Sequence, residues 1–87
     1  MLKLNNTFQN TNGNFYKVLD TKCNNYFYLL VRTIDNPNNG LIQFIICHDM
    51  EISGKADYNR NLYSWAHGKY FDNISDAVEQ WNKLSED

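Results

Sequence analysis

The chain has 87 residues, of which 43% are hydrophobic and 21% are charged, and its formal net charge is −2. These values are typical of a folded globular protein, and the length suffices for one hydrophobic core and a single domain spanning residues 1–87. The slight acidic excess disfavours duplex nucleic acid as a partner, because a phosphate backbone attracts basic proteins.

A first hairpin is predicted near the N-terminus. Residues 4–9 and 15–19 are short runs of β-forming character, and they are separated by the sequence Asn-Thr-Asn-Gly at 10–13. The Asn-Gly pair readily supplies the positive φ angles that a tight turn between two strands requires. The sequence therefore predicts two strands joined by this turn.

A second hairpin is predicted in the centre of the chain. Residues 26–33 combine aromatic and branched side chains, which makes them the strongest strand candidate. A cluster of Asp, Asn, Pro and Gly at 35–40 predicts a turn, and the apolar residues 41–48 predict the returning strand. Apolar side chains occupy both faces of these two strands, so we expect part of the second face to be covered as well.

The last third of the chain predicts a loop, one more strand and a helix. Residues 49–61 are polar and indicate a loop, whereas the aromatic rhythm of 62–71 predicts a short, bulged strand. Asn73 is a favourable N-cap, and Asp76 places a carboxylate in the first helical turn. The predicted helix has an apolar face at helical spacing. That face consists of Ile74, Ala77, Val78, Trp81 and Leu84.

These elements predict an α+β fold, in which an antiparallel sheet of four to five strands carries one C-terminal amphipathic helix. The N-terminus does not resemble a signal peptide, and no apolar run approaches the about 20 residues needed to cross a bilayer. With only Cys23 and Cys47, a disulfide framework is not expected. We therefore expect a cytoplasmic protein with reduced thiols and no membrane association.

No catalytic, cofactor or metal site is predicted. The adjacent residues Cys47, His48 and Asp49 contain the groups of a nucleophile and its base, but neighbouring side chains on a strand point to opposite faces. The two cysteines and two histidines lack the paired spacing of zinc sites. Each of the four glycines stands alone, so no phosphate-binding loop is indicated.

The stretch 58–71 interleaves aromatic and cationic side chains and is followed by an acidic surface. Such a mixture is typical of protein interfaces, of single-stranded nucleic acid platforms, or of a core with an aromatic rim. We interpret it as the surface that binds a partner. The predicted partner-binding residues are Tyr58, Arg60, Tyr63, Trp65, His67, Lys69, Tyr70, Asp72, Asp76 and Glu79.

Two segments resemble small uncharacterised proteins of phages and mobile elements from low-GC Gram-positive bacteria. One is Ser-Trp-Ala-His-Gly-Lys-Tyr-Phe at 64–71, with the residues 72–77 and the Trp-bearing helix that follow. The other is the opening 8–19, where Phe8, the Asn residues, Tyr16 and the Val-Leu pair have a similar arrangement. The centre, 23–60, has no counterpart. Fourteen asparagines against three alanines also suggest an AT-rich genome.

The resemblance implies a setting in which small proteins bind and block host factors, including the nucleases of CRISPR and restriction systems. We therefore expect a non-enzymatic interaction protein, anti-CRISPR-like in its action on a host defence complex. The alternative is a module for a small ligand or single-stranded nucleic acid, in which Tyr63, Trp65 and Tyr70 stack on a base and Arg60 or Lys69 meets a phosphate. A cysteine-dependent enzyme and a homodimer formed by edge-strand pairing also stay open.

Overall fold

Seven strands and one helix form within the parts of the chain that the computed structural model describes, residues 2–33 and 43–84. In chain order they are β1 (Thr7–Asn10), β2 (Phe15–Lys22), β3 (Phe27–Arg32), β4 (Phe44–His48), β5 (Glu51–Asp57), β6 (Arg60–Ser64), β7 (His67–Phe71) and α1 (Ile74–Asn82). The strands form one sheet in the order β5-β6-β1-β2-β3-β4-β7. The pair β1 and β6 is parallel, and the other neighbours are antiparallel.

The sheet is curled because short links join strands that are far apart in its order. β6 and β7 lie five positions apart, which is about 24 Å in a flat sheet. Only residues 65 and 66 connect them, and such a link spans about 10 Å. Likewise, residues 49 and 50 connect β4 to the terminal strand β5. In the chain, the hairpin β5–β6 is thus inserted between β4 and β7. In the sheet, β4 and β7 pair directly with each other.

One apolar cluster fills the inside of the curl. Its buried members are Leu2, Phe8, Tyr16, Val18, Tyr28, Leu30, Ile45 and Cys47, with Tyr63 and Trp65 packed against them. The Phe8 ring stacks on the Tyr16 ring with centroids 5.7 Å apart, and it meets the edge of Tyr63 at 5.4 Å. The aromatic rings therefore act as the filling of this core.

The helix α1 covers the other face of the sheet. Trp81 and Ala77 are buried against Leu29 and Ile46. The Trp81 indole donates a hydrogen bond from Nε1 to the Asp20 carboxylate at 2.9 Å. At the C-terminal end of the helix, the Lys22 ammonium donates to the carbonyl of Trp81 at 2.6 Å, and the same carbonyl accepts a hydrogen bond from the Leu84 amide at 3.1 Å.

Several sequence predictions are confirmed. β1 and β2 pair as the predicted first hairpin, and β3 pairs with β4. The predicted turn at 35–40 lies outside the described residues. The helix begins after Asn73, whose side chain accepts a hydrogen bond from the Asp76 amide at 2.9 Å. Both faces of the central strands are covered, one by the curl and one by α1.

Two predictions about the second half of the chain are wrong. The sheet has seven strands rather than four to five, because the predicted loop 49–61 forms β5 and the start of β6. The predicted single strand at 62–71 is divided between β6 and β7. Every residue of β5 is exposed, so no apolar alternation marks it in the sequence.

The buried face of the helix is narrower than predicted. Ala77 and Trp81 are buried, but Ile74 is 51% exposed and Val78 is 37% exposed. The helix packs on the sheet near β4 and β7, and a single stripe of side chains suffices for that contact. Within the described residues, no helix combines the length and apolar character required to cross a bilayer.

Candidate functional site

The ten predicted partner-binding residues lie in four places rather than on one surface. Tyr58 and Arg60 belong to the tip of the β5–β6 hairpin, Tyr63 and Trp65 pack against the inner core, and His67, Lys69 and Tyr70 lie on β7. Asp72, Asp76 and Glu79 precede or belong to the helix. Two places carry features of a binding site, and they are the β5–β6 hairpin and a cleft beside β7.

The tip of the hairpin presents an exposed aromatic side chain. Tyr58 is 97% exposed. The Asp57 carboxylate beside it accepts hydrogen bonds from the Asn59 amide at 2.9 Å and from the Arg60 guanidinium at 2.8 Å. These hydrogen bonds lower the pKa of the Asp57 carboxyl group, and the one from the Asn59 amide has a larger effect than the one from the Arg60 side chain. These contacts hold the turn in one conformation while the Tyr58 ring points away from the body of the protein.

The strand β5 forms one end of the sheet. It pairs with β6, and in the described part of the chain no strand pairs with its outer edge. The pairing is irregular around Gly54, whose φ of 149° is one that other residues rarely adopt. The Ser53 and Ser64 hydroxyls form a hydrogen bond across the hairpin, and Ile52 is 59% exposed. The hairpin thus offers seven residues of accessible strand.

Trp65 is occupied by contacts inside the protein. Its ring meets Tyr16 edge-on with centroids 5.1 Å apart, and its Nε1 donates a hydrogen bond to the Tyr70 hydroxyl at 3.1 Å. This hydrogen bond passes over Gly68, where a Cβ atom would lie 2.9 Å from the Trp65 nitrogen. The Trp65 side chain is therefore a core component, which argues against the predicted use of this ring as a platform for bases.

A cleft of about 630 Å³ lies between β4, β7 and the C-terminal end of α1. Its walls include the side chains of two histidines and two lysines, namely His48, His67, Lys69 and Lys83. The Lys83 ammonium lies 3.7 Å from the Glu79 carboxylate on the same helix. Two of the predicted residues, His67 and Lys69, are thus brought together here, while Tyr58 and Arg60 are not part of this cleft.

The side chains of His48, Asp49 and His67 converge at the rim of this cleft. The Asp49 carboxylate lies 3.2 Å from His48 Nδ1 and 3.7 Å from His67 Nε2. One potential ligand atom from each residue lies within 4.8 Å of the other two. The two imidazole rings are stacked with centroids 4.6 Å apart, and the Tyr26 ring stacks on His48. These three residues are called the His-Asp-His cluster below.

The local structure explains why these side chains meet. His48 and His67 are direct partners in the β4–β7 pair, so their side chains lie on the same face of the sheet. Asp49 has a φ of 60°, a left-handed conformation in which Asp is among the few tolerated residues. That conformation ends β4 and places the Asp49 carboxylate beside the two rings.

The sequence did not predict this cluster. Only His48 and Asp49 are neighbours in the chain, and His67 follows 18 positions later, after the inserted hairpin. A search for short ligand spacings therefore cannot find it. The sequence does show that His48 ends one strand and that His67 begins a later one. This pattern indicates a shared site only when β4 and β7 are known to pair.

Cys47 lies on the opposite side of the sheet from the cluster. It is 1% exposed in the inner core, and burial raises the pKa of its thiol to about 12. His48, the next residue, lines the cleft on the helix side. Cys47 and His48 therefore do not form a nucleophile and base, as the alternation of side chains along a strand predicts.

Comparison with known proteins adds no identification. No protein-family model matches the chain, and searches of curated proteins and of solved structures found no significant match. The class defined by the fold is an α+β domain with one C-terminal helix on a curled sheet. The resemblance to phage and mobile-element proteins stays a prediction.

Proposed function

We propose that the chain is a non-enzymatic interaction protein that binds a protein partner through the β5–β6 hairpin. The observation that carries the proposal is the strand β5, Glu51–Asp57, which ends the sheet and is exposed along its whole length. The outer edge of such a strand presents backbone N–H and C=O groups. A strand of a partner pairs with these groups and so extends the sheet.

The side chains of the hairpin suit a contact with a protein. An exposed tyrosine such as Tyr58 supplies a large contact area with few rotatable bonds, and tyrosine is enriched at the centres of interfaces. Ile52 adds an exposed apolar group on the strand itself. Glu51, Lys55 and Asp57 place charges along β5, and such charges oppose indiscriminate pairing of edges. The proposed partner is therefore a specific protein rather than any available strand.

The proposal includes the setting that the resemblance implies. The chain then belongs to a phage or mobile element and acts in the cytoplasm as an inhibitor that occupies a host defence complex, in the manner of anti-CRISPR proteins. The support for this part is the likeness of residues 8–19 and 64–77. The physical part of the proposal, strand addition at β5, does not depend on the identity of the host factor.

Two matched substitutions test the role of the hairpin. Ile52→Lys places a charge on the exposed face of β5, and Ile74→Lys places the same charge on the helix at a site of similar exposure, 51% against 59%. Purified defence effectors are mixed with each variant and followed by gel filtration. We expect the wild type and Ile74→Lys to migrate with the same effector, and Ile52→Lys to lose most of the complex.

Equal complex formation by both variants would contradict the proposal, provided that circular dichroism shows both to be folded. The wild type could instead form a complex of two copies of the chain that Ile52→Lys abolishes. That outcome would show that β5 pairs with a second copy of the chain and not with a different protein. Binding of a nucleotide or an oligonucleotide, with no protein complex, would favour the alternative function. In that case the ligand belongs in the cleft with His67 and Lys69.

A further inference from the structure

We infer that the His-Asp-His cluster is a binding site for a divalent transition metal ion, with Zn²⁺ as the first candidate. The cluster supplies two imidazole nitrogens and one carboxylate oxygen, and these are preferred zinc ligands. The inference does not depend on the proposed partner binding, because it concerns a different part of the molecule.

The two distances from the Asp49 carboxylate to the histidine nitrogens fit a single ion. Four ligands at about 2.1 Å from a tetrahedral zinc ion lie about 3.4 Å from one another. The Asp49 carboxylate oxygen lies 3.2 Å from His48 Nδ1 and 3.7 Å from His67 Nε2. Coordination by both histidines requires the His67 ring to turn out of its stacked position. Its side chain is 65% exposed, so the ring has room to do so.

A second observation concerns His48 Nδ1. This atom is buried, and among the described residues it has no hydrogen-bond partner. Although the Asp49 carboxylate is only 3.2 Å away, the angles are not those of a hydrogen bond. A buried polar atom without a partner is costly, and a metal ion between the two groups satisfies both of them.

The three protein ligands leave one position of a tetrahedral ion open. His48 and His67 line the cleft of about 630 Å³, so a water molecule or a small ligand can occupy that position. The ion also links two points of the backbone. Asp49 lies where the chain leaves β4 for the hairpin and His67 lies where it returns to β7, so the metal fixes both ends of the inserted hairpin.

Calorimetric titration of the tag-free, full-length chain with ZnSO₄ tests the site. We expect saturable binding with a stoichiometry of one ion per chain. Asp49→Asn removes the carboxylate charge while asparagine still tolerates the left-handed backbone, and His67→Ala removes an exposed ligand. Each substitution is expected to weaken binding by about tenfold or more.

Two controls separate the cluster from other groups. Glu51→Gln neutralises an exposed carboxylate two residues after Asp49 in the chain, and Cys23→Ser removes the thiol outside the inner core. Both variants are expected to bind zinc as the wild type does. Replacing zinc by Co²⁺ should give the intense visible absorption of a tetrahedral ion. Absence of saturable binding at millimolar zinc, or equal affinity in Asp49→Asn and the wild type, would overturn the inference.

Discussion

At the scale of single residues, burial decides which side chains can react. Cys47 is 1% exposed, and desolvation raises the pKa of its thiol to about 12. The thiolate is the nucleophilic form, and at pH 8 its fraction is then about one in ten thousand. The same burial supplies an apolar contact in the inner core. Cys47 therefore contributes to packing, and we expect its thiol to be unreactive towards electrophiles in the folded state.

Alkylation measures this directly. In a Cys23→Ser variant, Cys47 is the one remaining thiol. We expect iodoacetamide at pH 8 to leave Cys47 unmodified in the folded protein and to modify it rapidly in concentrated urea, as followed by mass spectrometry. Modification of the native protein at the rate seen in urea would show that the thiol is accessible, and it would revive the cysteine-dependent enzyme.

The raised pKa of Cys47 also has a consequence for stability. A group whose pKa is raised on folding keeps its proton where the unfolded chain has lost it. Its contribution is therefore complete below the ordinary thiol pKa of 9.0 and declines as the pH rises towards 12. The loss has an upper bound of about 4 kcal/mol. Burial raises the pKa of the Tyr16 hydroxyl in the same direction, so Cys47→Ala is expected to remove only part of this alkaline destabilisation.

At the scale of elements, the helix α1 is held by one residue more than by any other. Trp81 is 3% exposed, donates a hydrogen bond to Asp20 and lies beneath the Lys22 ammonium, which is 5.1 Å from its ring centroid. The same ammonium donates to the carbonyls at the end of the helix. Packing, hydrogen bonding and capping thus meet at this side chain.

Two substitutions separate these contributions. Trp81→Phe retains an aromatic ring but removes the donor to Asp20 Oδ2, while Asp20 Oδ1 keeps its hydrogen bond from the Thr21 amide. We expect a loss of about 1–3 kcal/mol in the free energy of unfolding. Trp81→Ala also removes the packing of the ring against the sheet, and we expect a loss of about 3–5 kcal/mol in the free energy of unfolding. Urea denaturation measures both. Equal losses for the two variants would show that the hydrogen bond, rather than the packing, holds the helix.

The sequence predicts elements whose signals are local. The helix is marked by the Asn73 cap and by Trp81, and the first hairpin by its Asn-Gly turn. The strand β5 and the first two residues of β6 were missed because every residue of β5 is exposed, so this segment has no buried apolar face and has the composition of a loop. The division of 62–71 was missed because Trp65 continues the aromatic rhythm across the link between β6 and β7.

At the scale of the whole molecule, the inserted hairpin produces the curl and places the candidate sites. Because β4 and β7 pair across it, His48 and His67 become neighbours, and β5 is left at the end of the sheet. Neither outcome follows from spacing in the sequence, since both depend on which distant strands pair. Of the predicted partner-binding residues, Tyr58 lies at the tip of the hairpin and His67 lies in the cleft. Tyr63 and Trp65 instead pack against the inner core.

The central claim is that a partner protein pairs with the outer edge of β5. Amide hydrogen exchange of the chain, alone and in its complex with an effector, tests it most directly. We expect the amides of Glu51–Asp57 that point away from β6 to exchange rapidly in the free protein and to become protected in the complex, while those of the helix α1 are unchanged. Protection confined to α1 or to the cleft, with β5 still exchanging rapidly, would contradict the claim.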